Sequence, residues 1–183
     1  MALQLLSPTG HEFDAVAKQV AESFPHECLV AVFRVTVTPA RADRFEAHRA
    51  ALVGEVQELT LFHGTTEAAA AAIVKDGFNA TVNTRSAFGR GTYFAPRYSV
   101  SRAYAQANKE GHGVALMCRV LVGRVCVGTT GATLDLEKFD AAVDTLRSPT
   151  MYVIPYDDAA LPTHVMHFWR EPPVSRRKGA AGT

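Results

Sequence analysis

The chain has 183 residues, 19 Lys and Arg against 18 Asp and Glu, and 48% hydrophobic residues, the size and balance of one globular domain with a single core. A disordered chain would carry fewer apolar residues, and a strongly cationic nucleic-acid binder would exceed a net charge of +1 by a wide margin. The longest apolar runs, residues 67–75 and 28–33, fall well short of the ~20 residues that span a bilayer, so no membrane segment is expected.

From His11 to Phe24, the residues Phe13, Val16, Ala17, Val20 and Phe24 recur at helical spacing, and Pro25 stops the helix. Cys28 to Thr38 alternates Leu29, Ala31, Phe33, Val35 and Val37 with the polar Arg34, Thr36 and Thr38, the pattern of a strand with one partly solvated face. A second helix follows Pro39, marked by Phe45, Leu52, Val53 and Val56. Leu59 to His63 is a short strand running into Gly64. Thr65 or Thr66 caps the next helix, Glu67 favours its positive end and Gly77 closes it. Residues 79–91 form an irregular surface loop, of a length that in compact domains is often functional. Thr92 to Ala95 then reads as a strand, Ser99 as the cap of a short helix through Gln106, and Gly113 to Val127 as a β-rich run broken at Gly123. Met151 to Tyr156 and Thr163 to Arg170 are two further strands, separated by a turn at Ala160, Leu161 and Pro162. Strands outnumber helices and do not alternate with long helices, which predicts an α+β fold. Residues 1–171 are expected to form one domain, and 172–183, with Arg176, Arg177 and Lys178 among small residues, a disordered tail.

Common cofactor and metal motifs are missing. Gly89-Arg90-Gly91 is a G-x-G, but Phe94 stands where the third glycine of a dinucleotide fingerprint belongs, and no G-x-x-x-x-G-K occurs. His164 and His167 have metal-like spacing only on a helix; on a strand they point to opposite faces, so no metal is expected. Cys28, Cys118 and Cys126 form no C-x-x-C pair, and Met1 to Gly10 has no Lys or Arg ahead of its leucines. Both observations speak for a reducing compartment, cytoplasm or nucleus. Two segments do cohere. Leu61-Phe62-His63-Gly64-Thr65 delivers a histidine and a glycine at a strand end, where a ligand can approach the backbone closely. Phe88 to Ala95, F-G-R-G-T-Y-F-A, is followed by Ser101 and Tyr104, three apart on a helix and therefore on one face.

Together with Gly77-Phe78-Asn79, Tyr98-Ser99-Val100-Ser101 and the run Tyr152 to His164, these segments, in this order, resemble the catalytic domain of the poly(ADP-ribose) polymerase-like ADP-ribosyltransferases. The mono-ADP-ribosylating members are the most similar, and the likeness runs from about His11 to Phe168. It implies a diphtheria-toxin-like fold, with split antiparallel β-sheets around an NAD cleft and flanking helices. It implies that His63 binds the adenosine ribose, that the Gly64 backbone holds the nicotinamide carboxamide with Ser101, that Tyr93 packs on the nicotinamide side, and that Tyr104 stacks on the ring. Thr65 and Phe94 join them as cofactor-contacting positions. The intervals from Tyr93, eight residues to Ser101 and eleven to Tyr104, match the family register. Arg85, in the loop lining the donor cleft, is a candidate partner for pyrophosphate or adenosine through charge-assisted bonds.

The chain departs from the family at one position. Polymer-forming members place a glutamate just before the strand that starts here at Tyr152, and this chain has Met151, a soft apolar side chain suited to filling a cleft wall. Asp157 and Asp158, further along, are not placed to substitute for it. The resemblance therefore implies a monomeric NAD-dependent mono-ADP-ribosyltransferase that passes one ADP-ribose unit to a protein side chain and releases nicotinamide. A catalytically weak NAD- or ADP-ribose-binding module is one alternative; ADP-ribosylation of nucleic-acid ends, suggested only by the basic tail, is another. The chain opens almost at the transferase-like segment, so the helical regulatory domain of the DNA-damage-activated members is not expected.

Overall fold

The computed structural model describes residues 2–82 and 87–170; Arg85 and the expected 172–183 tail lie outside them. In chain order the elements are β1 (Ala2–Leu5), α1 (His11–Ala21), β2 (Leu29–Thr36), α2 (Pro39–Ala51), β3 (Gln57–Thr65), α3 (Glu67–Asp76), β4 (Thr92–Phe94), α4 (Tyr98–Arg102), β5 (His112–Val122), β6 (Val125–Val127), β7 (Ala141–Val143), β8 (Tyr152–Ile154) and β9 (Ala160–Trp169). Short 3₁₀ turns cover Ala80–Val82 and Asp157–Ala159. The fold is α+β. A five-stranded sheet has the order β1-β2-β9-β5-β3, and a four-stranded sheet the order β4-β8-β7-β6. The two meet where Phe62 and Ala95 exchange both backbone hydrogen bonds, at 2.8 and 2.9 Å. The larger sheet is antiparallel throughout, but β6 pairs with β7 in parallel. That corrects the expectation of wholly antiparallel sheets: residues 128–140 are a connection long enough to carry the chain back for a parallel pairing.

The larger sheet is covered on both faces. On one side α1 buries Val16 and Val20 against Val32, Ala115, Met166 and Phe168. On the other, Phe45 of α2 and Ala70 and Val74 of α3 pack on Leu61, Leu116, Cys118 and Val120. Two-sided burial explains why β5 is apolar along nearly its whole length, interrupted within the buried run by Arg119. β2 has the partly solvated face expected of it: Val30, Arg34 and Thr36 are exposed, while Val32, of the same parity, is fully buried beneath α1.

Element ends differ from the sequence pattern for local reasons. Pro39 opens α2 at its first turn, where a missing N–H costs nothing, and the helix stops at Ala51. Leu52 is its extended C-cap, and Val53 is exposed; Leu52 and Val56 pack on the core from outside the helix. The expected turn at Ala160 to Pro162 is instead the start of β9. Proline is tolerated there because the register slips: Cys118 faces Pro162 and Met117 faces His164, leaving Thr163 as the extra residue, its hydroxyl donating to the Met117 carbonyl at 2.9 Å. His164 and His167 part company, as a strand requires: the first lies 3.0 Å from Glu12 and the second packs edge-on to Phe33. Among the described residues no group of His, Cys, Asp and Glu could hold a metal ion, and no helix is long and apolar enough to cross a membrane.

Candidate active site

β3 is an edge strand whose outer side, among the described residues, is bridged only at Phe62, by Ala95 just after β4. In an antiparallel ladder the backbone groups of residues two apart point the same way. The N–H and C=O of Gly64 therefore point as those of Phe62 do, away from β5, at a level where β4 has already diverged. The result is a donor and an acceptor side by side, the pair that recognises an amide. Gly64 is required for a second reason. A Cβ at this position would lie 1.7 Å from the Ser101 carbonyl oxygen, so only glycine lets α4 seat against the strand.

Next to it, His63 Nδ1 is 2.8 Å from the Tyr93 carbonyl oxygen. A carbonyl only accepts, so Nδ1 carries the proton and Nε2 is left as the acceptor of the ring. Burial pushes the imidazole pKa below its ordinary value, outweighing the hydrogen bond to Tyr93 that acts the other way, and the ring is neutral at pH 7. Phe78 and Phe94 brace it, with ring centroids 5.6 Å away in each case. The Tyr93 hydroxyl donates to the Gly89 carbonyl at 2.7 Å and accepts from the Phe88 N–H at 3.0 Å. It thereby closes the turn that brings the segment before β4 over the cavity. The phenol is held protonated by burial, which raises its pKa against the opposing pull of the Phe88 bond.

α4 is shorter than the spacing predicts. Arg97, not Ser99, is its N-cap, without a side-chain bond, and the helix stops at Arg102. Three i to i+3 bonds then continue the path: Ala103 to Val100, Tyr104 to Ser101 and Ala105 to Arg102. In such a turn side chains three apart align, so Ser101 and Tyr104 still share a face. Ser101 is buried and its hydroxyl donates to the Phe62 carbonyl at 2.7 Å. With its proton committed, the oxygen has only lone pairs to offer, and these suit an amide N–H. Tyr104 is 42% exposed, an aromatic ring at the mouth.

These residues converge on a cavity of about 870 Å³, whose lining includes His63, Gly64, Thr65, Tyr93, Ser101, Tyr104 and Met151. Its size suits a cofactor-sized ligand. Phe94 does not line it. That side chain is 1% exposed and belongs to the core behind His63, because on a strand it points opposite to Tyr93. The expected contact from Phe94 to the cofactor is thereby corrected to a supporting one. Met151 is 7% exposed and forms a wall immediately before β8.

A further part of the lining, which no motif marks, comes from α3. Thr66 caps this helix by accepting from the Ala69 N–H at 3.1 Å. Ala69, Ala72, Ile73 and Asp76 face the cavity, while Ala70 and Val74 face the core. The spacing of 69, 72, 73 and 76 is a helical stripe, and the alanine run was the available signal: small side chains leave room. Asp76 is the only acidic side chain among the described lining residues.

His63, Gly64, Ser101 and Tyr104 thus face one cavity, with the hydrogen-bonding groups described above turned toward it. The family model of the poly(ADP-ribose) polymerase catalytic domain matches residues 10–158. The chain belongs to that family. Among curated relatives it is 34% identical over 153 residues, 75% of its own length, to protein mono-ADP-ribosyltransferase PARP10 of Mus musculus, of which the match covers 16%. It is 25% identical over 89% of its length to protein mono-ADP-ribosyltransferase PARP14 of Homo sapiens, covering 10% of that protein. To PARP12 of Mus musculus, also named a protein mono-ADP-ribosyltransferase, it is 28% identical over 66% of its length, covering 18%. The chain thus spans less than a fifth of each of these three relatives.

Proposed function

We propose that residues 1–171 form an NAD-dependent mono-ADP-ribosyltransferase, which transfers one ADP-ribose unit to a protein side chain and releases nicotinamide. The observation that carries this reading is the hydrogen-bonding polarity of the cavity. Gly64 offers an N–H and a C=O, and Ser101 offers an acceptor, the complement of a carboxamide. Tyr104 supplies the ring to stack on a pyridinium. His63 Nε2 offers an acceptor to a ribose hydroxyl. NAD carries a carboxamide and ribose hydroxyls on one molecule, and holding both ends fixes the bond between nicotinamide and its ribose. Orientation and electrostatics then favour an oxocarbenium-like transition state.

Met151 determines the extent of reaction. Adding a second unit requires a ribose hydroxyl as nucleophile, which is un-ionised at neutral pH and needs a positioned base; losing one costs about 10²–10⁴-fold. A carboxylate acceptor, with a pKa near ~4, is already ionised and needs none. Attachment of the first unit therefore survives the thioether, and elongation does not. Three curated relatives bearing the name mono-ADP-ribosyltransferase support this reading.

The test is incubation with NAD labelled in the adenylate half, with protein and RNA offered separately. Label on protein with release of nicotinamide is expected. Label on RNA alone would move the activity to nucleic-acid ends, and tight binding of NAD without turnover would leave a binding module.

A further inference from the structure

The Asp144 side chain gathers bonds from the far end of the loop between β7 and β8. Asp144 Oδ1 accepts from the Thr150 N–H at 2.9 Å and from the Met151 N–H at 3.1 Å, and Oδ2 accepts from the Thr150 hydroxyl at 2.5 Å. The Asp144 N–H in turn donates to the Met151 carbonyl at 3.4 Å. Burial raises the carboxyl pKa, but the bonds from Thr150 and Met151 outweigh it and hold the group ionised below the usual carboxylate range. Within the clasp, Ser148 has φ of 57°, an uncommon conformation for a residue with a side chain that persists where surrounding bonds fix it. Leu146, at the tip, is 60% exposed. The carboxylate thus ties the loop to the backbone of Met151, a residue of the cavity lining.

We propose that Asp144 is a positioning residue for the acceptor side of the cavity: by clasping the β7–β8 loop it fixes where Met151 stands, and so sets how the ADP-ribosyl group divides between protein and water. The inference rests on the transferase reading above. In that reaction the bond between nicotinamide nitrogen and ribose carbon breaks, and its electron pair leaves with nicotinamide and neutralises the pyridinium. The new bond forms from a lone pair of the acceptor carboxylate, or from water, which then gives a proton to solvent. Gly64, Ser101, Tyr104 and His63 are committed to the donor. Met151 lines the cavity at the end of the clasped loop, and the exposed residues 145–148 beside it are where a protein acceptor can lean. A displaced wall admits water and misplaces the acceptor without disturbing the donor contacts.

The experiment measures nicotinamide release and protein labelling in parallel for the unaltered chain, Asp144→Ala, Asp144→Asn and Thr150→Val. For Asp144→Ala, protein labelling should fall about tenfold while KM for NAD moves less than twofold, and the share of consumed NAD passed to water should rise. Asp144→Asn keeps an oxygen for the two backbone N–H groups and should restore most of the labelling. Thr150→Val removes only the hydroxyl bond and should show the same split at about threefold, which keeps the test alive if Asp144→Ala does not fold. Labelling and hydrolysis falling together, or a shift confined to KM, would overturn the role given to Asp144 while leaving the transferase reading in place. No nicotinamide release from the unaltered chain would overturn both.

Discussion

The two sheets divide the site between them, and they are built in different ways. The five-stranded sheet has strands of up to 11 residues covered on both faces, and it delivers His63, Gly64 and, through α4, Ser101 and Tyr104. α4 is anchored from behind: buried Glu27 accepts from the Tyr98 hydroxyl at 2.6 Å and pairs with Arg102, whose guanidinium also lies 4.5 Å from the Phe24 ring centre and 5.1 Å from that of Phe168. The four-stranded sheet has strands of three residues and holds Tyr93 and Met151 by side-chain clasps, the Tyr93 phenol on Phe88 and Gly89 and the Asp144 carboxylate on Thr150 and Met151. In the proposed function, long covered strands suit the groups that bind the same donor every time, and short strands closed by single side chains suit the wall proposed to meet a variable acceptor, where one substitution can change the outcome without dismantling the fold.

If that division is correct, the largest effect belongs to Gly64→Ala. A methyl group 1.7 Å from a backbone oxygen cannot be absorbed by a rotamer change, so β3 and α4 must separate. The expected outcome is loss of about 3 kcal/mol of stability, at the upper end for overpacking, and NAD turnover reduced at least a hundredfold. Calorimetry and nicotinamide release check it, and a variant of unchanged melting temperature would break the claim that the large-sheet half is rigidly packed.

His63→Ala should come next, lowering turnover at least tenfold through loss of a hydrogen bond and an unpaired ribose hydroxyl, with the circular dichroism unchanged. The pH profile sharpens the point. The folded pKa of His63 lies below the ordinary 6.5, so the acceptor form and its share of stability are complete above pH 6.5 and are lost as the pH falls through the folded value. Turnover should be flat from pH 6.5 upward to 8 with an acid limb below 6.5, and His63→Ala should lack that limb; a limb centred above 6.5 would contradict the neutral-acceptor assignment.

Smaller again is the benzamide effect. A nicotinamide mimic at ~5 times its Kd should stabilise the chain by about 1 kcal/mol, and the rise in melting temperature should vanish in Ser101→Ala/Tyr104→Ala. Persistence in the double variant would move the amide site off the large sheet.

The smallest effect is expected at the rim of that sheet, where Glu58 is paired with both Arg119 and Arg49. The Arg119 hydrogen bond above all holds Glu58 at a pKa of about 2, against a burial effect of opposite sign. Its contribution is present above the ordinary carboxylate value of 4.5 and is lost as the pH falls toward about 2. Because all three side chains are partly exposed, Glu58→Gln should cost less than about 1 kcal/mol at pH 7, read as a shift in denaturation midpoint.

The same division governs how much could be read from the sequence. Periodicity reveals α1 through Val16 and Val20, because a long element repeats its pattern, while end signals bound the others: Gly64 after β3, and Thr65 or Thr66 before α3 with Gly77 after it. β1 and β7, of four and three residues, are too short to show a period, and β9 was entered late because Pro162 reads as a turn until the slip opposite Cys118 is visible. The cavity residues stood out by motif, yet Phe94 was placed in the lining when strand parity puts it in the core. Asp144 carried no signal at all: its importance lies in bonds to backbone N–H groups six and seven residues away, which no residue pattern encodes.

The central claim, one ADP-ribose unit per acceptor site because Met151 stands where elongation needs a base, is tested most directly on a denaturing gel of protein labelled from adenylate-labelled NAD by the unaltered chain. The account predicts a discrete labelled band whose mobility barely changes with time or NAD concentration, insensitive to poly(ADP-ribose) glycohydrolase. A ladder extending to high molecular weight that the hydrolase collapses would contradict it.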